Sequence, residues 1–276
     1  MKIFYLGTSA AEGIPAPFCD CEVCERARSL GGRNVRTRTQ ALIDGRLLID
    51  YPADTLYHTQ RFGIKLQNTH GCFLTHTHGD HFFPDDFFAR TAVAALMKEE
   101  KPFFFYATPL GIEKLRQAPS TAKIEEEGRL IVKELTPFVT VVADGYKITP
   151  LEAYHCPEAV IYLIEKDGKA MLYANDTGYF PDSTWEYLKA RQVKLDLISY
   201  DCTYGIWDRG RVTHMHLPLC IEVRERLRSE GLLKEGAKHL LTHFSHRDGS
   251  CGYEIFAPIA EKEGFTVAYD GLVVEF

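Results

Sequence analysis

Three histidines and one aspartate lie within residues 76–81, in the pattern His-x-His-x-Asp-His, directly after a short apolar run. Such a run is typical of a buried strand that ends in a loop. Alternate residues of an extended chain point the same way, so His76 and His78 can direct two imidazoles at one metal ion. If the chain then turns, Asp80 and His81 face a second point nearby. Imidazole with carboxylate suits zinc, manganese or iron better than calcium or magnesium, and such a site would activate water.

This pattern resembles the signature of the metallo-β-lactamase superfamily. That superfamily completes two metal sites with a histidine, a bridging aspartate and a last histidine, each at a strand end. His155, Asp176 and His243 follow apolar stretches in this order, although each alone would be an ordinary turn, cap or surface residue. The resemblance implies two ions with these ligands: His76, His78 and His155 for one, Asp80, His81 and His243 for the other, and Asp176 between them.

A second cluster of metal-capable residues is the triplet Cys19, Cys21 and Cys24, in a loop near residues 13–26. The spacing Cys-x-Cys-x-x-Cys is too short for comfortable disulfides within the triplet. Three thiolates and a fourth ligand make a closed tetrahedral zinc site, for which His246 is the candidate. The alternative is a loop with three unligated cysteines.

The second cluster narrows the resemblance to the phosphoribosyl cyclic phosphodiesterase of bacterial phosphonate catabolism and its relatives. These proteins carry Gly-Thr-x-x-x-x-Gly-x-Pro, here residues 7–15, then a cysteine triplet, and later Leu-Thr-His-x-Ser-His, here residues 241–246. The similarity runs along the chain except near residues 98–145. In that family the second histidine of the later phrase joins the cysteines on a structural zinc, which implies the same role for His246.

The resemblance also predicts a mechanism. Two divalent ions bridged by Asp176 would lower the pKa of water toward neutrality, and the resulting hydroxide would attack phosphorus. The leaving alkoxide needs a proton, which a histidine can donate. His214 and His216 precede a predicted helix, and the family's general-acid histidine aligns with His214, whereas His216 stands where relatives are commonly acidic. The candidate catalytic residues are therefore Asp80, His214 and His216, with one of the two histidines catalytic and the other ancillary.

Other functions stay open on the same fold. Pyrroloquinoline-quinone-biosynthesis oxygenase-like proteins also have a cysteine-rich N-terminal loop, and hydrolysis of another ester, a thioester or a lactam is a further alternative. Flavodiiron oxidoreductases normally have an acidic ligand at the position of His78 and carry a flavin domain, and this sequence has neither. A binding or sensor protein on an inactive hydrolase fold does not account for the complete ligand set.

Composition bears on class and partners. The 276 residues are 45% hydrophobic and 25% charged with a net charge of −6, which is ordinary for a single globular α/β domain spanning residues 1–276. No apolar run predicts a membrane span or a signal peptide, and scattered cysteines are typical of the reducing cytoplasm.

The only basic clustering is the arginines of residues 26–38, which we interpret as a solvated connector, so we expect a small anionic phosphodiester substrate and no nucleic-acid polymer. The sequence leaves the native metal (zinc, manganese or iron) and the oligomeric state, including a homodimer, undecided.

Two series of predicted strands, each followed by helices, carry these residues. The resemblance implies an αββα sandwich of two packed mixed β-sheets with helices outside. Tight hairpins are predicted at Asp44-Gly45 and Asp167-Gly168. Residues 85–97 are predicted as a helix and residues 265–274 as one strand. The aromatic residues at 82, 83, 87, 88 and 103–106 are predicted to lie in the core.

Overall fold

The computed structural model describes residues 1–247 and 251–276, which form two β-sheets and the helices that cover them. The strands are β1 (Lys2–Gly7), β2 (Gln40–Ile43), β3 (Leu47–Ile49), β4 (Gly71–Phe73), β5 (Phe103–Ala107), β6 (Leu130–Glu134), β7 (Val141–Ala143), β8 (Tyr146–Glu152), β9 (Val160–Lys166), β10 (Lys169–Ala174), β11 (Leu195–Asp201), β12 (Leu233–Thr242), β13 (Thr266–Val267) and β14 (Val273–Glu275). The α-helices are α1 (Glu22–Leu30), α2 (Thr55–Phe62), α3 (Pro109–Arg116), α4 (Thr121–Glu126), α5 (Asp182–Arg191), α6 (Leu217–Ser229) and α7 (Tyr253–Lys262).

Each sheet has an antiparallel half and a parallel half. The first sheet has the order β14-β1-β2-β3-β4-β5-β6, antiparallel from β14 to β3 and parallel from β3 to β6. The second has the order β13-β12-β11-β10-β9-β8-β7, parallel from β13 to β10 and antiparallel beyond. The carboxyl ends of parallel strands meet at one edge of a sheet, which is where side chains from several strands can converge.

Successive side chains of each strand point to opposite faces of its sheet, and this divides the hydrophobic core into three layers. In β3, for example, Leu47 and Ile49 pack between the two sheets, whereas Leu48 packs on the outer face of the first sheet. That outer face is covered by residues of α3 and α4, including Ile112 and Ile124. The outer face of the second sheet is covered by residues of α1, α5, α6 and α7. The predicted αββα sandwich is therefore confirmed.

The two predicted hairpins are also confirmed. Asp44 and Gly45 join β2 to β3 with φ of 49° and 71°, and Asp167 and Gly168 join β9 to β10 with φ of 49° and 76°. Two successive positive φ values define the turn that matches the twist of a two-residue hairpin.

The prediction of a helix over residues 85–97 is wrong. A 3₁₀ helix spans Pro84–Arg90, and the chain then leaves helical geometry. The Thr91 hydroxyl donates to the carbonyl of Phe88 at 2.8 Å, and such local bonds compete with helical ones. The Arg90 guanidinium donates to the carbonyls of Lys101 and Arg129, which anchors the end of the turn to other segments.

The prediction of one strand over residues 265–274 is wrong as well. The segment divides into β13 and β14, which belong to different sheets. Asp270 lies between them and accepts hydrogen bonds from Thr8 and Thr37, and Gly271 has φ of 103°, so the chain turns there. The sequence analysis also does not predict α4 or β6, whose Ile124 and Leu130 are buried.

The prediction that the aromatic residues lie in the core is confirmed for most of them. Phe82, Phe87, Phe103, Phe105 and Tyr106 are buried. It is wrong for Phe83 and Phe88, whose side chains are 39% and 56% exposed. In the described residues, no helix combines the length and the apolar character that crossing a membrane would need.

Candidate metal centre

Strand ends from both sheets converge at one edge of the sandwich. His76 follows β4, and His155, Asp176 and His243 follow β8, β10 and β12 of the second sheet. In the second sheet, β8, β10 and β12 run in the same direction, so their carboxyl ends reach the same edge. The backbone N–H of Val160 donates to Thr75 at 3.0 Å and ties the sheets together beside the site.

One group of predicted ligands comprises His76, His78 and His155, whose ring nitrogens lie within 4.8 Å of one another. His155 Nε2 is 3.1 Å from His78 Nδ1 and 3.7 Å from Asp176 Oδ1. His78 is exposed while His76 is buried, so the group faces solvent on one side only.

The other group comprises Asp80, His81 and His243, again with ligand atoms within 4.8 Å. His81 Nε2 is 3.2 Å from Asp80 Oδ2, 3.1 Å from Asp176 Oδ2 and 3.3 Å from His243 Nε2. Asp176 thus presents one carboxylate oxygen to each group, in the position of a bridging ligand. We call the six residues of both groups, together with Asp176, the histidine–aspartate cluster.

The donor atoms of this cluster fit metal ions. Among the described residues, His76 Nε2 is buried and has no hydrogen-bond partner, which is costly for a polar atom unless something else satisfies it. Asp176 and His243 also have φ of 51° and 63°, a region that non-glycine residues rarely adopt. Such strain concentrates at functional sites. The structure brings the predicted ligands together, and their role as ligands stays a prediction.

Two buried carboxylates that the sequence analysis missed hold the cluster in place. Asp50, after β3, lies 2.7 Å from His81 Nδ1 and accepts hydrogen bonds from the N–H and hydroxyl of Thr75. Asp201, at the end of β11, accepts hydrogen bonds from the N–H groups of Asp176, Thr203 and Met215. Partners of this kind fix the orientation of ligand rings. Both aspartates end an apolar strand, as Asp176 does, and that signal could have found them.

His214 and His216 have different environments. His214 Nδ1 lies 2.8 Å from Asp201 Oδ2, and its ring stacks on His243 with centroids 5.4 Å apart and meets His155 at 4.8 Å. His216 is the N-cap of α6, where its Nδ1 accepts from the N–H of Leu219, and its Nε2 lies 3.1 Å from Asp208. His214 therefore touches the histidine–aspartate cluster, whereas His216 supports the helix behind it.

At His214 and Asp176, neighbouring charges shift the pKa in the direction opposite to burial. Burial alone would lower the pKa of His214, but the adjacent carboxylates of Asp201 and Asp176 raise it to about 9. Burial alone would raise the pKa of Asp176, but His243 and His81 hold it well below its usual range. The site thus favours an ionised carboxylate at its centre with a proton on the neighbouring histidine.

The predicted zinc ligands also meet. Cys19, Cys21, Cys24 and His246, which we call the cysteine cluster, have their ligand atoms within 4.8 Å of one another. His246 Nδ1 lies 3.4 Å from the Sγ atoms of Cys19 and Cys21. The backbone N–H of Ala16 donates to Cys24 Sγ at 3.3 Å, a bond that suits a sulfur carrying negative charge.

The remaining histidines and cysteines are mostly structural. His58, His70 and His239 hydrogen-bond with Gln40, Tyr106 and Tyr200, respectively. No disulfide joins the cysteines of the described residues, and four of those outside the cysteine cluster are buried: Cys72, Cys202, Cys220 and Cys251. Cys156 is only partly buried and lies beside the histidine–aspartate cluster.

The arginine-rich connector differs from its prediction at one residue. Arg36 is buried, not solvated. Its guanidinium donates to Thr8 Oγ1 at 2.8 Å and to the carbonyl of Ala268, and it lies 4.4 Å from the ring centroid of Phe244.

Comparisons with known proteins agree with this fold. Residues 46–244 match the family described as "Beta-lactamase superfamily domain". Coenzyme PQQ synthesis protein B of Methylorubrum extorquens (strain PA1) is 31% identical over 122 residues, which are 40% of this chain and 38% of that protein. The match to this curated relative therefore spans well under half of its length.

Solved structures give the same fold. The Zn(2+)-bound PqqB from Methylobacterium extorquens superposes with a TM-score of 0.77 at 20% identity, over 100% of both chains. A diphosphatase from the PhnP family superposes with a TM-score of 0.71 at 24% identity, over 100% of this chain and 96% of that one. Human tRNase Z, short form, has a TM-score of 0.67 at 16% identity, over 100% and 99%. At these identities the likeness shows the fold alone.

The chain belongs to the β-lactamase superfamily and has the metallo-β-lactamase fold. Members of this superfamily are mostly metal-dependent hydrolases. The histidine–aspartate cluster is the candidate metal site that this membership leads one to expect.

Proposed function

We propose that the protein is a metal-dependent phosphodiesterase that acts on small phosphodiesters, cyclic ones among them. The observation that carries the proposal is the contact between His214 and the histidine–aspartate cluster. Hydrolysis of a phosphodiester expels an alkoxide, a poor leaving group, and therefore benefits from a proton donor next to the two metal ions. His214 is held there by Asp201 at 2.8 Å.

Different residues of the cluster and its surroundings would bind the ions, donate the proton and orient the ligands. His76, His78 and His155 would hold one divalent ion, Asp80, His81 and His243 the other, and Asp176 would contribute an oxygen to each. When bound, the ions would supply Lewis acidity and lower the pKa of a water molecule toward neutrality. His214 would hold the proton that the leaving oxygen takes. Asp50 keeps the ring of His81 fixed, and Asp201 keeps His214 oriented with its Nδ1 toward the carboxylate.

The surface beside His214 supports an anionic substrate. The ring of Tyr204 meets His214 with centroids 5.6 Å apart, and the guanidinium of Arg209 lies 5.9 Å from Tyr204 and 4.1 Å from the ring of Trp207. Trp207 is 42% exposed and Arg209 is exposed. The Lys114 ammonium donates to the carbonyl of Thr77, which lies between two predicted ligands in the sequence. These two cationic side chains can attract a small anion, whereas the net charge of −6 disfavours a long polyanion.

The second candidate function is a reaction like that of the PQQ synthesis proteins, because the sequence match to one of them reaches 31% over 122 residues. A mononuclear iron oxygenase needs two histidines and one carboxylate with open positions. The histidine–aspartate cluster offers seven side chains, two groups of three with Asp176 between them, which supports a two-ion hydrolase instead. A hydrolase of another ester or a thioester on this fold would use the same cluster.

The test is a comparison of substrates on purified protein loaded with zinc, manganese or iron(II). The panel is bis(p-nitrophenyl) phosphate, a five-membered cyclic ribose phosphate, a thioester and a β-lactam. We expect hydrolysis of both phosphodiesters, lost in Asp176→Asn, with little turnover of the other two. Preferential thioester or lactam hydrolysis, or oxygen consumption with iron and no phosphodiester hydrolysis, would overturn the proposal.

A further inference from the structure

Cys156 lies beside the metal centre but outside the predicted ligand set. Its Sγ lies within 4.8 Å of the ligand atoms of His76, His78 and His155. The thiol is partly buried, and it belongs to the loop between β8 and β9 that also presents His155. A sulfur atom therefore lies beside the first group of predicted ligands, whereas the set that contains Asp80, His81 and His243 includes no cysteine.

The neighbouring imidazoles are oriented toward the point that this sulfur shares. His76 is 97% buried, since only 3% of it is exposed, and its Nδ1 hydrogen-bonds with Thr75 at 3.0 Å. Its Nε2 has no hydrogen-bond partner among the described residues. His155 Nδ1 lies 3.0 Å from the carbonyl of Thr213, which leaves its Nε2 facing His78. With one ring nitrogen fixed, the other is positioned as a metal ligand.

The loop restricts where the thiol can go. The N–H of Ala159 donates to the carbonyl of Cys156, and the N–H of Ala153 donates to the carbonyl of Ala159, so the loop closes on itself. Pro157 follows Cys156 and disfavours helical geometry for it. The imidazole of His155 and the thiol of Cys156 thus come from one short, tied turn.

We propose that Cys156 is a further ligand, in addition to the oxygen of Asp176, to the ion held by His76, His78 and His155 in the absence of substrate. Three imidazoles, one carboxylate oxygen and one thiolate would give this ion five ligands, a number that zinc accepts. Binding forms one metal–sulfur bond and releases the thiol proton to solvent, with no oxidation or reduction. A soft sulfur ligand selects zinc over manganese at this position, whereas the second group, with carboxylate and imidazole, keeps no such preference. The proposal rests on the metal centre of the proposed function and not on its substrate.

The test follows the sulfur–metal bond by spectroscopy. Wild type, Cys156→Ala and Cys156→Ser are stripped of active-site ions with a mild chelator and titrated with cobalt(II). We expect a thiolate-to-cobalt charge-transfer band in the difference between wild type and either variant. Any cobalt in the cysteine cluster contributes equally to all three proteins and cancels. Cys72→Ala, which removes a buried thiol of β4, is the matched control and should keep the band.

A second readout is alkylation of Cys156 by iodoacetamide, located by peptide mass spectrometry. We expect zinc to slow this reaction at least about tenfold in the wild-type protein, and chelator competition to give Cys156→Ala at least about tenfold weaker zinc binding at one site. Cobalt spectra identical in wild type and Cys156→Ala, with alkylation unchanged by zinc, would overturn the proposal. A protein that shows the band but hydrolyses no phosphodiester would disprove the proposed function and leave the role of Cys156 standing.

Discussion

The two metal-capable clusters of the described residues differ in position and ligand chemistry, although each includes one histidine from residues 243–246. The histidine–aspartate cluster stands at strand ends, contains two carboxylates, and is held by further buried carboxylates. The cysteine cluster lies on the loop before α1, the first turn of α1 and the segment after β12, and it is built from three sulfurs and one imidazole. The carboxylate and imidazole ligands of the first cluster suit ions that also bind water and substrate, whereas three thiolates and one imidazole fill the four positions of a structural zinc. From this difference in ligand chemistry, we expect reaction at the first cluster and structural stabilisation at the second.

A short segment joins the two clusters. His243 belongs to the histidine–aspartate cluster and His246 to the cysteine cluster. The residues between them form hydrogen bonds with the N-terminal loops. The N–H of Phe244 donates to Thr8, and the N–H of Ala10 donates to Phe244, both at 2.9 Å. Loss of the cysteine cluster should therefore loosen this segment, while loss of the histidine–aspartate cluster should leave it in place. The predictions below test this asymmetry.

The largest expected effect is that of Asp176→Ala. Removing the oxygens that face both ligand groups should lower phosphodiester hydrolysis at least about 1000-fold and release at least one ion, because both ions lose a ligand. Metal analysis and activity on one preparation measure both effects. Asp196→Ala is the matched control, since Asp196 is buried and pairs with Lys169 and Lys234 away from the cluster. Full activity in Asp176→Ala would refute the two-ion mechanism.

The next effect is that of His214→Ala, which should keep both active-site ions. Activity should fall roughly 100-fold or more on an ester with an alkoxide leaving group, and much less on bis(p-nitrophenyl) phosphate, whose nitrophenolate leaves without a proton. Activity on the two substrates in the same buffer gives the ratio. His216→Ala is the comparison, because His216 caps α6. If the leaving-group dependence appears in His216→Ala instead, the two roles are exchanged.

Cys21→Ser should show the opposite pattern. Loss of one thiolate should release one zinc and cost about 3 kcal/mol, which lowers Tm by roughly 6–12 °C for a chain of this size. Activity per bound active-site ion at low temperature should change little. Calorimetry and metal analysis give the two numbers, with Cys72→Ala as a control that keeps its zinc. Unchanged zinc content and Tm in Cys21→Ser would show that the cysteine cluster holds no structural ion.

The smallest effect concerns a histidine outside both clusters. Burial, with help from Arg61, lowers the pKa of His58 from 6.5 to about 3. A histidine kept neutral in the folded state stabilises the protein fully above its unfolded pKa of 6.5, and this contribution is lost as pH falls toward about 3. From pH 7 to about pH 5 the expected loss is about 1–2 kcal/mol. Denaturant unfolding at the two pH values should show a smaller difference in His58→Gln, and an equal difference would contradict this account.

Much of the fold and the cluster could be predicted from the sequence because the signals are local. The pattern of residues 76–81 and the turn pairs Asp44-Gly45 and Asp167-Gly168 depend on neighbours in the chain. The strand-end positions of Asp50 and Asp201 are local signals too, but their partners are not, because the fold brings His81 and His214 to them from 31 and 13 residues away. The helix predicted over 85–97 failed for the same reason. Contacts of Arg90 with distant carbonyls outweigh the local helix propensity.

The measurement that tests the central claim most directly is anomalous X-ray diffraction from crystals of protein purified without added metal. We expect two strong peaks a few ångströms apart in the histidine–aspartate cluster, one beside His76, His78 and His155 and one beside Asp80, His81 and His243, both next to Asp176. A third peak, with a zinc edge, should lie in the cysteine cluster. A single peak or none in the histidine–aspartate cluster, in protein that hydrolyses phosphodiesters, would contradict the account.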